Sequence, residues 1–443
     1  MKKTGKIFLV LGLIFALEMF SFSQEKLTLS LEDSIRLALS QNPYQLAAEE
    51  QVKAAESKVR QAVSGFLPSL NGQGLITLDE KLFELEFPSM IPGQPPERVK
   101  IDFTRDYQFS LNFSLPLFMG GRLRSGFKQA KYNLSSAGES LRQSQHTTVF
   151  SIKRAFFGYL LAKEFVQVSE EAVEVSEKHY QNVKSLYEVG LASKFDLLRS
   201  EVQVANLKPQ LIRARNNLKI SALSLKTLLG MELSKPVEFI GDLTYEDFEV
   251  DLEESLRRAL DNRPELSQIR YQKQMAGELL KITKASRLPT LAVSGTYNFW
   301  AEMFNFKKDA WQNHYAVNLV LTVPIFNGFS VSAQAAESRA KINEIDLNRR
   351  GLEDMVRFEV RQAVLKLKEA QESLHSQEKN VEQAQESLRI AELNFSEGLV
   401  TSLDVSTVQA ALSQAKINYS QALYDYSVSQ AELDKAIGVG WEN

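Results

Sequence analysis

Cysteine is absent from all 443 residues. That excludes disulfides, thiolate metal sites, a cysteine nucleophile and a lipid-bearing cysteine anchor. Neither charge sign is in excess: 52 Lys and Arg stand against 55 Asp and Glu, a net charge of −3. A nucleic-acid partner, which needs a basic surface, is therefore not expected. The four histidines, His146, His179, His314 and His375, are scattered along the chain. They give no metal-ligand spacing, and no phosphate-binding loop of the G-x-x-x-x-G-K-[ST] type is present. The expectation is a protein that is not an enzyme and holds no metal or cofactor.

Long apolar runs are also missing. Only the N-terminus has one, and residues 1–23 read as a secretory signal peptide. Lys2, Lys3 and Lys6 form its basic start, Ile7 to Leu17 its core, and Ser21-Phe22-Ser23 its cleavage site. With no other such run, no membrane-spanning helix is predicted. Proline is absent from 121–188 and again from 329–397.

What is present is present twice. Gly190-Leu191-Ala192-Ser193-Lys194-Phe195-Asp196 returns as Gly398-Leu399-Val400-Thr401-Ser402-Leu403-Asp404, 208 residues on. Each glycine suits the left-handed residue that closes a helix, and each Ser/Thr-x-x-Asp suits the start of the next. Asn42-Pro43 and Pro68 are matched by Arg263-Pro264 and Pro289 at a separation of 221. A fixed offset predicts two tandem repeats. The first, 24–229, has a helix at 31–64 broken at Asn42-Pro43, a β-hairpin at 68–117, a long helix at 121–188 and a return helix at 193–229. The second, 251–443, has a helix at 251–286, a hairpin at 289–325, a long helix at 329–397 and a return helix at 402–437. Residues 230–250 link them. The offset falls from 221 to 208 inside the hairpins, in a loop that holds Pro88, Pro92, Pro95 and Pro96.

Each long helix would measure about 100 Å at 1.5 Å per residue. The second carries a heptad seam from Val360 through Ala363, Leu367, Ala370, Leu374, Gln377, Val381, Ala384, Leu388 and Ala391 to Phe395. The first carries Ile152, Ala155, Tyr159, Ala162, Val166, Val173, Tyr180, Val183 and Tyr187 on one register.

The hairpins alternate strictly. Ile101, Phe103, Tyr107, Phe109, Leu111, Phe113, Leu115 and Leu117 face one way, interrupted at Arg105. Asp102, Thr104, Asp106, Gln108, Ser110, Asn112 and Ser114 face the other. The second hairpin sets Tyr315, Val317, Leu319 and Leu321 against Asn318 and Thr322. Period two over this length is a strand with one apolar and one polar face. In an exported protein, strands of this length fit an outer-membrane barrel. Tyr107, Phe109, Tyr297, Phe299, Trp300, Trp311 and Tyr315 are its candidate membrane girdle. Gln108, Ser110, Asn112, Ser114 and Asn318 are its candidate lumen lining. Four strands cannot close a barrel, and lipid tolerates no open edge, so several chains must share one. Two would give eight strands with a filled interior; three would give twelve with an aqueous lumen.

The ordered set of Asn-Pro break, Leu-Pro strand starts, long helices and the Tyr-x-x-Gly-Leu-x-Ser-x-x-Asp turn at 187–196 resembles the TolC-like outer-membrane efflux protein family. The resemblance spans the whole mature chain. It implies a mainly α fold with a membrane β-barrel portion. In it a homotrimer shares a 12-stranded β-barrel in outer-membrane lipid and a 12-helix α-barrel tunnel in the periplasm. It implies a passive exit duct for tripartite efflux or type I secretion. The partners would be a periplasmic adaptor (membrane fusion) protein and an inner-membrane efflux pump or ABC exporter. Asp196 and Asp404 match the family's acidic entrance, and Thr407 stands where a further acidic residue is common. Gly190, Leu191, Ser193, Gly398, Leu399 and Thr401 form the tip turns that would meet the adaptor. The alternative is a periplasmic coiled-coil adaptor or scaffold with no channel of its own, against which the alternating hairpins argue.

Overall fold

The computed structural model describes residues 27–78, 83–101, 107–302, 304, 307 and 311–440. The signal-peptide segment and residues 102–106 of the alternating run lie outside the described residues. One succession of elements occurs twice. Helices α1 (Leu31–Gln41) and α2 (Pro43–Ser64) lead to strands β2 (Ser69–Ile76) and β5 (Tyr107–Met119), then to helices α3 (Arg122–Glu188) and α4 (Lys194–Leu228). Helices α5 (Leu252–Asn262) and α6 (Pro264–Ala285) lead to strands β7 (Thr290–Ala301) and β8 (Gln312–Thr322), then to α7 (Ser330–Ser396) and α8 (Ser402–Ile437). No described helix is long and apolar enough to cross a membrane.

Two compact units result, each drawing on both halves of the sequence. One comprises the described residues among 1–49, 141–264 and 353–443, the other those among 50–140 and 265–352.

The first unit is built on a cluster of Leu29, Ile35, Ala38, Ile152, Phe156, Leu160, Leu225, Leu229 and Phe239. Leu29 and Phe239 come from two short strands, β1 (Leu27–Leu29) and β6 (Val237–Phe239), which pair in parallel. Phe156 meets Phe239 edge-on at 6.2 Å, and Tyr159 meets it at 5.2 Å. Sequence patterning did not anticipate this pair. It also put the α3 seam through Ala155 and Tyr159, whereas Phe156 and Leu160 are the fully buried residues there. Both rows flank Phe239 of β6, and Ile152 and Val183 of the expected register are themselves buried. The seam on α7 is as the heptads require: Val360, Ala363, Leu367, Ala370, Leu374 and Ala391 are all buried.

The helix breaks have a structural use. Asn42 accepts the Tyr44 amide at 2.8 Å and donates to the Leu228 carbonyl at 2.7 Å. It thereby starts α2 and holds the end of α4. There Gly230 adopts φ +70, and a Cβ on it would lie 2.7 Å from the Gln41 carbonyl oxygen. Gly438, at φ +72, closes α8 in the same way against Asn262 and Arg263. Arg263 is paired with Glu359 of α7. The linker is fastened to helices as well: Tyr426 of α8 donates to the Glu246 carbonyl at 2.5 Å, and Gln371 of α7 to that of Phe248 at 3.0 Å.

In the second unit the two hairpins join edge to edge in one antiparallel sheet, ordered β2-β5-β7-β8. One face carries the rows Phe109–Phe299, Leu111–Tyr297–Tyr315 and Leu115–Val293–Leu319. Phe109, Leu111 and Phe113 lie over Gly74, Gly72 and Gly295, where a Cβ would already be in van der Waals contact with them. Glycine here makes room for the large side chain of the neighbouring strand. Strict alternation ends at a bulge between Pro116 and Phe118, so Phe118, not Leu117, pairs with Leu291. The proline-rich loop is not bare. Strands β3 (Phe83–Phe87) and β4 (Glu97–Ile101) form a further hairpin, with Arg98 on Glu86 at 2.6 Å. All four prolines sit in its turn, where no ladder amide is needed.

Candidate functional site

Two sets of residues draw attention: the helix-tip turns of the first unit and the two-faced sheet of the second. At the first tip Gly190 takes φ +82 and its amide binds the Tyr187 carbonyl, while Leu191 reaches back to Leu186 at 2.8 Å. At the second, Gly398 takes φ +75 and Leu399 reaches Asn394 at 2.8 Å. Neither glycine has anything within 4 Å of an added Cβ, so the left-handed backbone, not crowding, requires it.

Each following helix starts on a reciprocal capping box. Ser193 accepts the Asp196 amide at 3.1 Å, and Asp196 accepts the Ser193 amide at 3.4 Å. Thr401 and Asp404 do the same at 3.3 and 2.8 Å. Hydrogen bonds from the Thr401 hydroxyl and amide lower the Asp404 carboxyl below its ordinary value. A lowered carboxylate stabilises the fold above its unfolded pKa, and that contribution is lost as pH falls through the folded value. Protection of amides in the first turn of α8, taken relative to the intrinsic exchange rate at each pH, should therefore fall as pH falls through the acidic carboxylate range. The variant Thr401→Val should flatten that dependence, and an unchanged profile would refute it. Thr407 turns its hydroxyl onto the Leu403 carbonyl of its own helix at 2.8 Å.

Two features of the helices that meet at the tips escaped sequence reasoning. His179 of α3 is buried, its Nε2 2.8 Å from the Ser402 hydroxyl at the start of α8 and its ring 5.2 Å from Phe395. Burial holds this imidazole below its usual range, in the neutral form. It thus ties one helical pair to the other. The second feature is a stripe of exposed apolar residues, Phe195, Leu198, Val202, Ile212 and Leu223, along α4. On α7, Met355, Phe358 and Leu365 form one exposed apolar patch and Ile390 and Leu393 a second near the tip, on the same heptad register. The signal was in the spacing, but the buried seam was the stronger pattern.

On the sheet, Gln108, Ser110, Asn112, Ser114 and Asn318 share one face. Their neighbours across the strands are Gln73, Asn71, Ser294, Thr296 and Asn298. Asn112 donates to Ser110 at 3.3 Å along that face. Tyr107, Phe109, Tyr297, Phe299 and Tyr315 share the other, with Tyr297 and Tyr315 stacked at 6.5 Å and 12°. Trp300 is a correction: it pairs with Gln108 and Gln312 on the polar face. It follows Phe299 directly, and successive strand residues point to opposite faces. Trp311 precedes β8 and meets Phe304, which meets Tyr107 at 5.6 Å. Among the described residues no acidic, histidine or cysteine cluster could hold a metal.

The sequence profile of the family described as outer membrane efflux protein matches residues 34–231 and 255–439. The chain is 24% identical over 339 residues to outer membrane protein TolC of Vibrio cholerae, covering 74% of this chain and 76% of that one. It is 24% identical over 366 residues to the alkaline protease secretion protein AprF of Pseudomonas aeruginosa, covering 76% and 72%. The crystal structure of the outer membrane protein VceC of Vibrio cholerae superposes with a TM-score of 0.72 at 19% identity, covering 93% of this chain and 96% of that one. With the profile spanning both element series, the chain belongs to the outer membrane efflux protein family.

Proposed function

We propose that three copies of this chain close their sheets into one barrel of twelve strands, a passive channel through the outer membrane. The observation that carries this is the sheet itself. It has one apolar face, one polar face and, among the described residues, unpaired outer edges on β2 and β8. Lipid accepts the apolar face but not open edges, so the edges must pair between copies. Eight strands would leave no lumen for the polar row; twelve would. The exposed apolar residues on α4 and α7 support the same assembly, because two different faces that pair head to tail build a ring. A periplasmic scaffold would leave the apolar face uncovered.

In this reading Gln108, Ser110, Asn112, Ser114 and Asn318 line the lumen, and Trp300 joins them. Tyr107, Phe109, Tyr297, Phe299 and Tyr315 form the girdle. The tips at Gly190–Asp196 and Gly398–Asp404, with Thr407, form the entrance that a periplasmic adaptor and an inner-membrane pump open. Efflux is the activity named for the family and secretion the one named for AprF, and one of them is this chain's task.

The absence of cysteine makes a direct test clean. A cysteine at Asn71 on β2 is combined with single cysteines stepped along β8 from Asn313 to Leu321. At one register, oxidation should give a covalent trimer. Monomer bands at every register would refute edge-to-edge closure.

A further inference from the structure

We propose that the pocket between the end of α6 and the start of α7 binds the phosphate of a phospholipid headgroup. This rests on the membrane reading of the sheet. The pocket is open, holds about 600 Å³, and is lined by Lys281, Lys284, Arg287 and Arg339 with Leu288 and Ala335. One acid offsets this charge: Glu278 pairs with Lys281 at 2.8 Å. Arg287 is held in place by donating to the Ser332 hydroxyl at 2.5 Å. Lys284 and Arg339 have no ionic partner among the described residues.

The pocket wall is built, not incidental. Gly120, at φ +62, ends β5 so closely against α6 that a Cβ would lie 2.9 Å from the Ala285 carbonyl oxygen and the Leu288 Cβ. The next stretch of chain, Met119 to Tyr132, carries Arg122, Arg124, Lys128 and Lys131 and no acid, and of these Lys128 acts on Glu278 beside the pocket. In a chain of net charge −3 this concentration of cations is unusual.

Position decides which anion it takes. Leu288 lies three residues before Leu291, which pairs with Phe118 and Leu321 at the end of the sheet's apolar face. Leu288, Phe118 and Leu321 are all exposed. Cations beside the rim of an apolar band meet the plane of lipid phosphates, where each adds to the attraction of an anionic surface. The Arg287 guanidinium offers paired N–H groups to phosphate oxygens, and the lysines add point charge. The acyl chains would lie on the apolar band. A free phosphate ion would gain nothing from that band.

The test uses the full chain, purified in detergent and titrated with phosphatidylglycerol or phosphatidylcholine, with bound lipid counted by native mass spectrometry. The wild type should retain phosphatidylglycerol about tenfold more strongly than phosphatidylcholine. Lys284→Gln combined with Arg339→Gln removes two side chains without ionic partners and should bring the two lipids to parity. Equal selectivity in variant and wild type would overturn the proposal. So would full displacement of the lipid by millimolar inorganic phosphate, which would mark a site for the free ion. Insertion of the wild type into liposomes is the control. Failure to insert would overturn the membrane reading and this proposal with it, whereas insertion with unselective retention overturns the pocket alone.

Discussion

Val317→Arg should remove the protein from the outer-membrane fraction. Val317 stands midway along β8 on the apolar face and is 73% exposed in the single chain. An arginine on a lipid-facing barrel position near the midplane costs about 2–4 kcal/mol per copy. A shared barrel carries that cost once for each chain. Asn318→Arg, the adjacent residue on the opposite face, meets water instead. It should leave insertion intact while lowering conductance and shifting selectivity toward anions. Density-gradient fractionation of both variants reads the difference. Equal loss, or equal tolerance, would contradict the two-faced assignment.

Phe156→Ala should destabilise the first unit by about 3–5 kcal/mol, the usual cost of emptying an aromatic site in a packed core. Phe156 is 1% exposed and packs edge-on against Phe239. The site cannot collapse easily. Its neighbours Ile152 and Leu225 are on long helices, Leu229 caps one of them, and Leu29 lies on a strand paired with Phe239's own. Hydrogen exchange should rise in β1, β6 and the adjoining part of α3 together. Ile390→Ala, in the exposed α7 patch near the tip, serves as the comparison and should leave exchange within an isolated chain unchanged. If Phe156→Ala protected as well as wild type, the cluster would not be the core of this unit.

These expectations differ in how far the sequence announced them. The long helices were legible because two stretches without proline carry a continuous heptad seam, and Val360 to Ala391 pack as that seam demands. The tip turns were legible because glycine and a Ser/Thr-x-x-Asp box are local signals with local causes. The sheet faces followed from period two, and so does the error over Trp300. Aromatic character suggested a girdle, while parity alone decides the face.

The missed features depend on partners far away in the chain. The β1–β6 pair joins Leu27 to Val237, and three-residue strands have no periodicity to read. Phe156 and Leu160 are buried in a cluster that this pair helps to build. The β3–β4 hairpin was hidden by the four prolines of its turn, which made the whole segment read as loop. His179 gave no signal because its partner Ser402 lies 223 residues away and its role depends on burial. The cations of the pocket come from α6 (Lys281, Lys284), the segment after it (Arg287) and α7 (Arg339), so in sequence they are ordinary lysines and arginines.

The central claim is that the sheets of several copies enclose water across a membrane. Its most direct test is single-channel recording from the purified wild-type oligomer in a planar lipid bilayer. The account predicts discrete current steps, reduced in amplitude by Asn318→Arg and absent for Val317→Arg. Wild-type protein that enters the bilayer as an oligomer yet never conducts, with the tips removed by truncation as well as intact, would contradict it.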